Sequence, residues 1–175
     1  MTEGRDMSEF EKFADVIRAL RAPGGCPWDR EQTHESLKAA CIEEACEVIS
    51  GVNILNDTGN ADNLKEELGD LLLQIVMHAV IAEEEGLFTM DDVIRTVSDK
   101  MVRRHPHVFG TAEASDAGEV LALWEDVKKK EKAGKEWAEA YLPPAFDESE
   151  QLIEVARRRK GFVKAQAAET PNHPL

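Results

Sequence analysis

The chain has 175 residues, a formal net charge of −14, 42% hydrophobic residues and 32% charged residues. This is the composition of a globular protein long enough for one domain around one core. The negative charge argues against a nucleic-acid polymer as partner, because such binders present a basic surface. The longest apolar stretch, residues 71–82, is interrupted by Gln74 and His78 and is too short to cross a bilayer, so no membrane segment is predicted.

The beginning of the chain and its cysteines indicate a reducing compartment. Residues 1–9 carry acids and no apolar segment, so nothing signals secretion and the cytoplasm is the expected location. Cys26, Cys41 and Cys46 cannot all pair, and no two of them have the C-x-x-C spacing of zinc sites. We therefore expect reduced thiols and no structural zinc.

The first half of the chain reads as helices separated by short breaks rich in Gly, Pro and Asn. The first helix is predicted over residues 8–21, with Ser8 and Glu11 as a capping box, and a Pro- and Gly-rich break over residues 22–29 ends it. A second helix follows Thr33 and ends near residue 55. The third is predicted over residues 61–85 and is closed by Gly86.

The second half continues in the same way. Thr89 and Asp92 predict the start of a fourth helix that ends near Arg104, where a His-Pro-His sequence disfavours continuation. A fifth helix is predicted over residues 118–132, a break over 141–145, a short helix over 148–160 and a mobile tail to residue 175. Since no stretch alternates like a strand, the predicted fold class is all-α. The predicted division is a functional domain, residues 8–132, and a C-terminal extension, residues 133–175.

Two acidic clusters with the same internal spacing stand out. They lie 23 positions apart and read Glu43-Glu44-x-x-Glu47 and Glu66-Glu67-x-x-Asp70. On a helix, the acids of each set lie on one face, with i,i+3 and i,i+4 neighbours about 5–6 Å apart. Two such faces turned toward each other would gather six carboxylates.

The second cluster lies on a face that becomes apolar further along the helix. Counting on by threes and fours leads to Leu73, Met77 and Ile81, so the acids are expected at the edge of a core. Like charges there repel by about 4 kcal/mol per pair at 4 Å and an effective dielectric near 20, and a bound cation reverses that sign. A solvated polar face is the alternative interpretation in such an acidic chain.

The ligand types indicate which metal the clusters would bind. All-oxygen ligands suit the hard cations Mg²⁺ and Mn²⁺. A helical di-iron site needs a Glu-x-x-His pair on each of two helices, and only Glu31 and His34 have that spacing. Iron is therefore disfavoured.

A basic group lies in the last turn of the fourth helix, where Lys100, Arg103 and Arg104 share one arc. These side chains either complement the helix dipole or, beside a bound metal, clamp a phosphate tail. Trp124 and Lys128, at i and i+4, either add an aromatic wall and another cation or are a core Trp covered by a Lys stem.

Several short sequence motifs occur in a fixed order along residues 10–132, and in this respect the chain resembles the MazG-type nucleoside triphosphate pyrophosphohydrolases. The motifs are Gly25-Cys-Pro-Trp-Asp29, the two acidic clusters, and Lys100-x-x-Arg-Arg-His-Pro-His-Val-Phe-Gly110. The resemblance implies an all-α, MazG-like helical bundle completed by dimerisation. It also implies Mg²⁺-dependent hydrolysis of (d)NTP to (d)NMP and pyrophosphate. The oxygen ligands would also accept Mn²⁺ in place of Mg²⁺.

The resemblance also assigns roles residue by residue. The metal ligands are Glu44, Glu47, Glu67 and Asp70. The nucleotide contacts are Lys100, Arg104, Trp124 and Lys128. Arg103, next to Arg104, would add its positive charge to the neutralisation of the leaving pyrophosphate. Glu43, the acid of the first cluster without a metal role, is the candidate general base. The longer family members carry two domains in tandem, whereas this chain has one, followed at residues 151–162 by what looks like the entry to a second.

Other functions remain open at the level of sequence. A house-cleaning hydrolase of many nucleotides is the main hypothesis. One alternative is a narrow enzyme of the dUTP/dCTP type or a phosphoribosyl-ATP pyrophosphohydrolase. A second is a regulatory protein that binds nucleotides without cleaving them, although such a protein would have no reason to keep a repulsive acidic cluster.

Overall fold

A computed structural model describes residues 7–162, and their only regular secondary structure is helical. This confirms the all-α prediction for that part of the chain. The helices, in chain order, are α1 (Glu9–Arg21), α2 (Pro27–Arg30), α3 (His34–Thr58), α4 (Asp62–Glu84), α5 (Met90–Arg104), α6 (Pro106–Phe109), α7 (Ala117–Lys132), α8 (Glu136–Glu139) and α9 (Leu142–Arg159). None of these helices is long and apolar enough to cross a membrane.

Side-chain caps set the starts of the long helices. Ser8, Thr33 and Thr89 each accept a hydrogen bond from a backbone N–H in the first turn of the helix that follows, as the sequence predicts. A left-handed glycine follows each of the two longest helices: Gly59 has φ 75° after α3, and Gly86 has φ 70° after α4.

The longest helices, α3 and α4, form an antiparallel hairpin around which the other elements are arranged. Only the short turn at residues 59–61 joins them, and α3 packs chiefly against α4. The hydrophobic core lies at one end of this hairpin, under α1 and the start of α5. Its buried members are Ala14, Ile17, Leu37, Val76, Met77, Ala79, Val80, Ile81 and Met90.

Helix α4 therefore has two halves with different surroundings. Its second half supplies most of the core, and its first half carries the second acidic cluster. Met77 and Ile81 are buried and Leu73 packs against them, so the predicted passage from an acidic face into a core is confirmed.

Arg21 connects α1 with the segment that precedes α3. Its side chain is 6% exposed, and its guanidinium donates to the carbonyl oxygens of Asp29 and Gln32 and to both carboxylate oxygens of Glu84. This bidentate ion pair and the two backbone contacts fix the Pro- and Gly-rich break against α4.

The structure corrects the predicted C-terminal elements. The break predicted over residues 141–145 is wrong, because α9 already begins at Leu142 and takes Pro143 and Pro144 into its first turn. Proline is tolerated there because first-turn N–H groups have no intrahelical acceptor. For the same reason α2 and α6, which the sequence analysis treated as breaks, begin at Pro27 and Pro106. The tail predicted to be mobile lies, from residue 163 onward, outside the described residues.

Candidate functional site

A close crossing of α3 and α4 brings the two acidic clusters together. At Gly51 an added Cβ would lie 2.8 Å from Cα of Leu64, so the two backbones meet where the side chain is missing. Because the helices are antiparallel, one turn back along α3 and one turn forward along α4 reach Glu47 and Glu67. A second turn reaches Glu44 and Asp70. The equal spacing of the two clusters therefore matches this crossing.

Three carboxylates converge between the helices. One oxygen each from Glu44, Glu67 and Asp70 lies within 4.8 Å of the other two. Glu67 is buried, Glu44 is half-buried and Asp70 is exposed, so the group is open to solvent on one side. An all-oxygen set of this kind suits a hard divalent cation.

The surroundings of these acids favour a cation between them. Glu67 is only 8% exposed, and its one hydrogen-bond donor among residues 7–162 is the Asn63 side-chain amide, 2.8 Å from Oε1. Burial, followed by repulsion from Asp70, Glu43 and Glu67, raises the pKa of Glu44. Such an environment penalises carboxylate charge unless a cation offsets it.

The other two predicted residues of the first cluster point to a different partner. Lys160 ion-pairs with both Glu43, at 3.0 Å, and Glu47, and Arg159 ion-pairs with Glu43. Glu47, which the resemblance assigns as a metal ligand, is thus outside the converging set and bound to an ammonium group. Burial of Glu43 opposes ionisation, but the hydrogen bonds from Lys160 and Arg159 outweigh it and lower the pKa of Glu43.

Sequence reasoning missed this contribution of α9. The basic run over residues 157–160 reads equally well as a solvated end of a helix, and more than 110 positions separate it from Glu43 and Glu47. The sequence feature that could have predicted this contact is charge complementarity between the basic run and the acidic clusters, since the run is strongly basic in a chain with a net charge of −14.

The predicted nucleotide contacts assemble between α5 and α7. Arg104 donates to Oε2 of Glu131 at 2.7 and 2.9 Å, and its Cζ atom lies 5.0 Å from the ring centroid of Trp124. The neighbouring Arg103 donates to the other oxygen of Glu131 at 3.1 Å. Glu131 was not among the predicted site residues; its pKa is lowered mainly by the hydrogen bond from Arg104.

The remaining members of this basic group differ in their partners. Lys128 pairs with Glu125 at 3.1 Å, whereas Lys100 is half-buried and makes no ion pair among residues 7–162. Within the same range, no hydrogen bond or ion pair joins this group to the acids on α3 and α4. The assignment of the basic group to phosphate binding therefore stays a prediction.

Comparison with known proteins identifies the central part of the chain. Residues 32–109 match the MazG nucleotide pyrophosphohydrolase domain. This segment belongs to the MazG family. The MazG segment contains α3, α4, α5 and α6, and therefore both acidic clusters and the basic turn at the end of α5.

Several bacterial proteins are similar over about 70% of the chain. It is 52% identical over 126 residues to the nucleoside triphosphate pyrophosphohydrolase/pyrophosphatase MazG of Thermotoga maritima, covering 72% of this chain and 46% of that protein. It is 42% identical over 130 residues to the nucleoside triphosphate pyrophosphohydrolase of Escherichia coli K12, covering 74% and 48%. It is 54% identical over 124 residues to the uncharacterized protein YabN of Bacillus subtilis, covering 71% and 24%. The chain thus spans at most about half the length of these relatives.

Proposed function

We propose that this MazG-family chain is a Mg²⁺-dependent nucleoside triphosphate pyrophosphohydrolase, converting (d)NTP to (d)NMP and pyrophosphate. The observation that carries the proposal is the convergence of Glu44, Glu67 and Asp70 at the α3–α4 crossing, inside the family segment. The names of the Thermotoga and Escherichia relatives support the reaction. The ligand set supports Mg²⁺, or Mn²⁺ in its place, because all three donors are oxygen.

The proposed division of labour follows from the geometry. Glu44, Glu67 and Asp70 would hold the ion, with Glu47 one helical turn from Glu44 as the fourth ligand, and Asn63 orients Glu67 through its amide. When bound, a divalent ion offsets the negative charge of the phosphates and activates water for attack on the α-phosphorus. The carboxylates fix the position at which this chemistry takes place.

Proton transfer and leaving-group stabilisation are assigned to other residues. Glu43 adjoins this set and is our proposed general base; its lowered pKa keeps it ionised but weakens it as a base while Arg159 and Lys160 hold it. The basic group of Lys100, Arg103, Arg104 and Lys128, with Trp124 beside Arg104, is proposed to bind the phosphate tail and the leaving pyrophosphate.

The wider properties are proposed on the same basis. We place the catalytic domain at residues 8–132 and expect it to act as a homodimer in the cytoplasm, where nucleotides are available. A house-cleaning role, removing unwanted nucleotides from the pool, is part of the same proposal.

The decisive experiment is pyrophosphate release from the four ribonucleoside and four deoxyribonucleoside triphosphates, each with and without Mg²⁺. Release from most of them, only with the metal, would support the proposal. Cleavage of one pyrimidine deoxynucleotide alone would favour the narrow dUTP/dCTP-type enzyme. Nucleotide binding without any pyrophosphate release would favour a regulatory protein and count against the enzyme.

A further inference from the structure

A cavity of about 390 Å³ lies between α3, α4 and α9, on the side of the hairpin away from the core. This volume is within the range of small-molecule sites, which are mostly apolar with a few polar groups. Its apolar walls come from α3 on one side and, on the other, from α9 and the residues that directly follow it. They include Ile42, Ile54, Ile153, Ala156 and Phe162, with Ser50 and Cys46 as small polar neighbours.

One end of the cavity opens onto the acidic cluster. Glu43, Glu47 and Glu67 line this end, and Glu67 is also one of the three converging carboxylates. A ligand in the cavity would therefore extend directly to the proposed metal position. The apolar part suits a flat aromatic group, and the acidic end needs a cation between itself and an anion.

Helix α9 and Lys160, the residue that caps its C-terminus, bring cations to that same end. Arg157 and Lys160 line the cavity, and the Lys160 ammonium lies 3.0 Å from Oε1 of Glu43. An ammonium group has three donors, so Lys160 can keep its contact with Glu43 and still donate to a phosphate oxygen. If the Glu47 carboxylate instead binds a metal ion, Lys160 loses that acceptor and can donate to a phosphate oxygen in its place.

Lys160 and Arg159 would also stabilise a bound triphosphate through their charge. A triphosphate that reaches the metal passes Glu43 and Glu47, both anionic, and would be repelled by them. Lys160 and Arg159 already neutralise those two carboxylates. Repulsion of the phosphate chain is thereby reduced without any change of backbone position.

We propose that α9 completes the substrate site: the nucleoside of the triphosphate occupies the α3–α9 cavity, and Lys160 contacts its phosphate chain beside the metal. This inference rests on the proposed function and specifies where the base and the phosphates lie. It assigns substrate contacts to α9, which lies outside residues 32–109 that match the family. Its competitor is an inhibitory α9, in which Lys160 only competes with the metal ion for Glu47.

The first test removes the charge of Lys160 in the full chain. We expect Lys160→Met to weaken binding of both inorganic tripolyphosphate and a non-hydrolysable α,β-methylene nucleotide, measured by calorimetry with Mg²⁺, by about tenfold, which corresponds to about 1.4 kcal/mol. The matched control is Arg158→Gln on the same turn, because Arg158 pairs with Glu154 and does not line the cavity. Tighter binding or a lower Mg²⁺ requirement in Lys160→Met would instead show an inhibitory α9 and overturn the proposal.

The second test fills the cavity from opposite walls, with Ser50→Phe on α3 and Ala156→Phe on α9. Each should weaken binding of the α,β-methylene nucleotide by at least about tenfold and leave tripolyphosphate binding unchanged, because only the nucleoside needs the cavity. Circular dichroism and urea unfolding identify any variant that fails to fold. If one variant fails to fold, the variant on the opposite wall decides the test. Unchanged nucleotide affinity in a folded variant would overturn the inference.

The inference and the proposed function fail in different ways. If the wild-type chain releases pyrophosphate and none of the cavity variants changes nucleotide affinity, the reaction stands and the placement of the substrate is wrong. If nucleotide binding depends on Lys160 and on the cavity but no pyrophosphate appears with Mg²⁺, the placement stands and the enzyme proposal is wrong.

Discussion

At the scale of single residues, Glu67 is the carboxylate most dependent on a bound cation. It is buried and has one amide donor from Asn63, which can equally donate to the oxygen of a glutamine. We therefore expect Glu67→Gln to fold normally, to be no less stable than wild type without metal, and to lose pyrophosphate release by at least about 100-fold.

The measurement for this variant is Mg²⁺-dependent thermal stabilisation alongside pyrophosphate release. Wild type should gain stability with Mg²⁺, because a ligand that binds only the folded state stabilises it, and Glu67→Gln should not. Glu66→Gln is the matched control, since Glu66 is the exposed neighbour and has no place in the converging set. An equal Mg²⁺ response in Glu67→Gln would contradict the assignment.

The His34–His78 pair, outside the acidic site, makes stability depend on pH. The two Nδ1 atoms lie 2.8 Å apart and the rings are stacked, so one Nδ1–H donates the hydrogen bond and the other Nδ1 accepts it without a hydrogen of its own. Burial and the neighbouring His34 lower the pKa of His78 below its ordinary value of about 6.5. Below a pH of about 6.5, His78 binds a proton in the unfolded chain more readily than in the folded chain. The stability that is present above a pH of about 6.5 is therefore lost as the pH falls.

Urea unfolding at a pH of about 7.5 and about 5.5 measures this effect. The part of the fall in the wild-type free energy of unfolding that is due to His78 should be less than about 1 kcal/mol, since the pair is only partly buried and solvent screens it. His78→Gln should show a smaller fall over the same interval. An identical pH dependence in the two proteins would show that His78 does not titrate differently in the folded state.

At the scale of elements, local signals predicted most of the helix ends. The caps at Ser8, Thr33 and Thr89 and the glycine at Gly86 act within one turn, so the sequence displays them directly. The start of α9 was missed because its prolines read as a break, although a first turn accepts them. Periodicity also predicted the acidic faces, but it does not specify which distant helix packs on them, so the contact of Lys160 was missed.

The α3–α4 crossing provides the test at this scale. Alanine normally stabilises a helix relative to glycine, but at Gly51 its Cβ would lie 2.8 Å from the backbone of Leu64. We expect Gly51→Ala to lower the free energy of unfolding by about 1–3 kcal/mol, the cost of overpacking, and to weaken Mg²⁺ stabilisation by moving the acidic clusters apart.

Gly69 in α4 is the matched control. A Cβ there meets no atom within 4 Å, so Gly69→Ala should raise the free energy of unfolding by about 0.5–1 kcal/mol. Urea unfolding of both variants makes the comparison. A stabilising Gly51→Ala would mean that the two helices do not approach as closely as described.

At the scale of the whole molecule, large apolar side chains remain exposed on the hairpin that carries the acids. On α4, Leu68 is 50% exposed and Ile75 is 41% exposed, and their i,i+7 spacing places them on one face. On α3, Ile49 is 63% exposed. Apolar side chains that recur along a helix face in this way are typical of contact surfaces. A second copy of the chain is the proposed partner, through a two-fold interface in which α4 contacts α4.

Sedimentation velocity tests this assembly directly. Wild type should sediment as a dimer at micromolar concentration, and Leu68→Glu combined with Ile75→Glu should sediment as a monomer, because two buried charges on each side would face each other across the two-fold axis. Leu87→Glu is the matched control: Leu87 is 64% exposed and lies in the turn after α4, outside the helix, so this variant should stay dimeric. A wild-type monomer, or a double variant that remains a dimer, would exclude α4 as the contact surface.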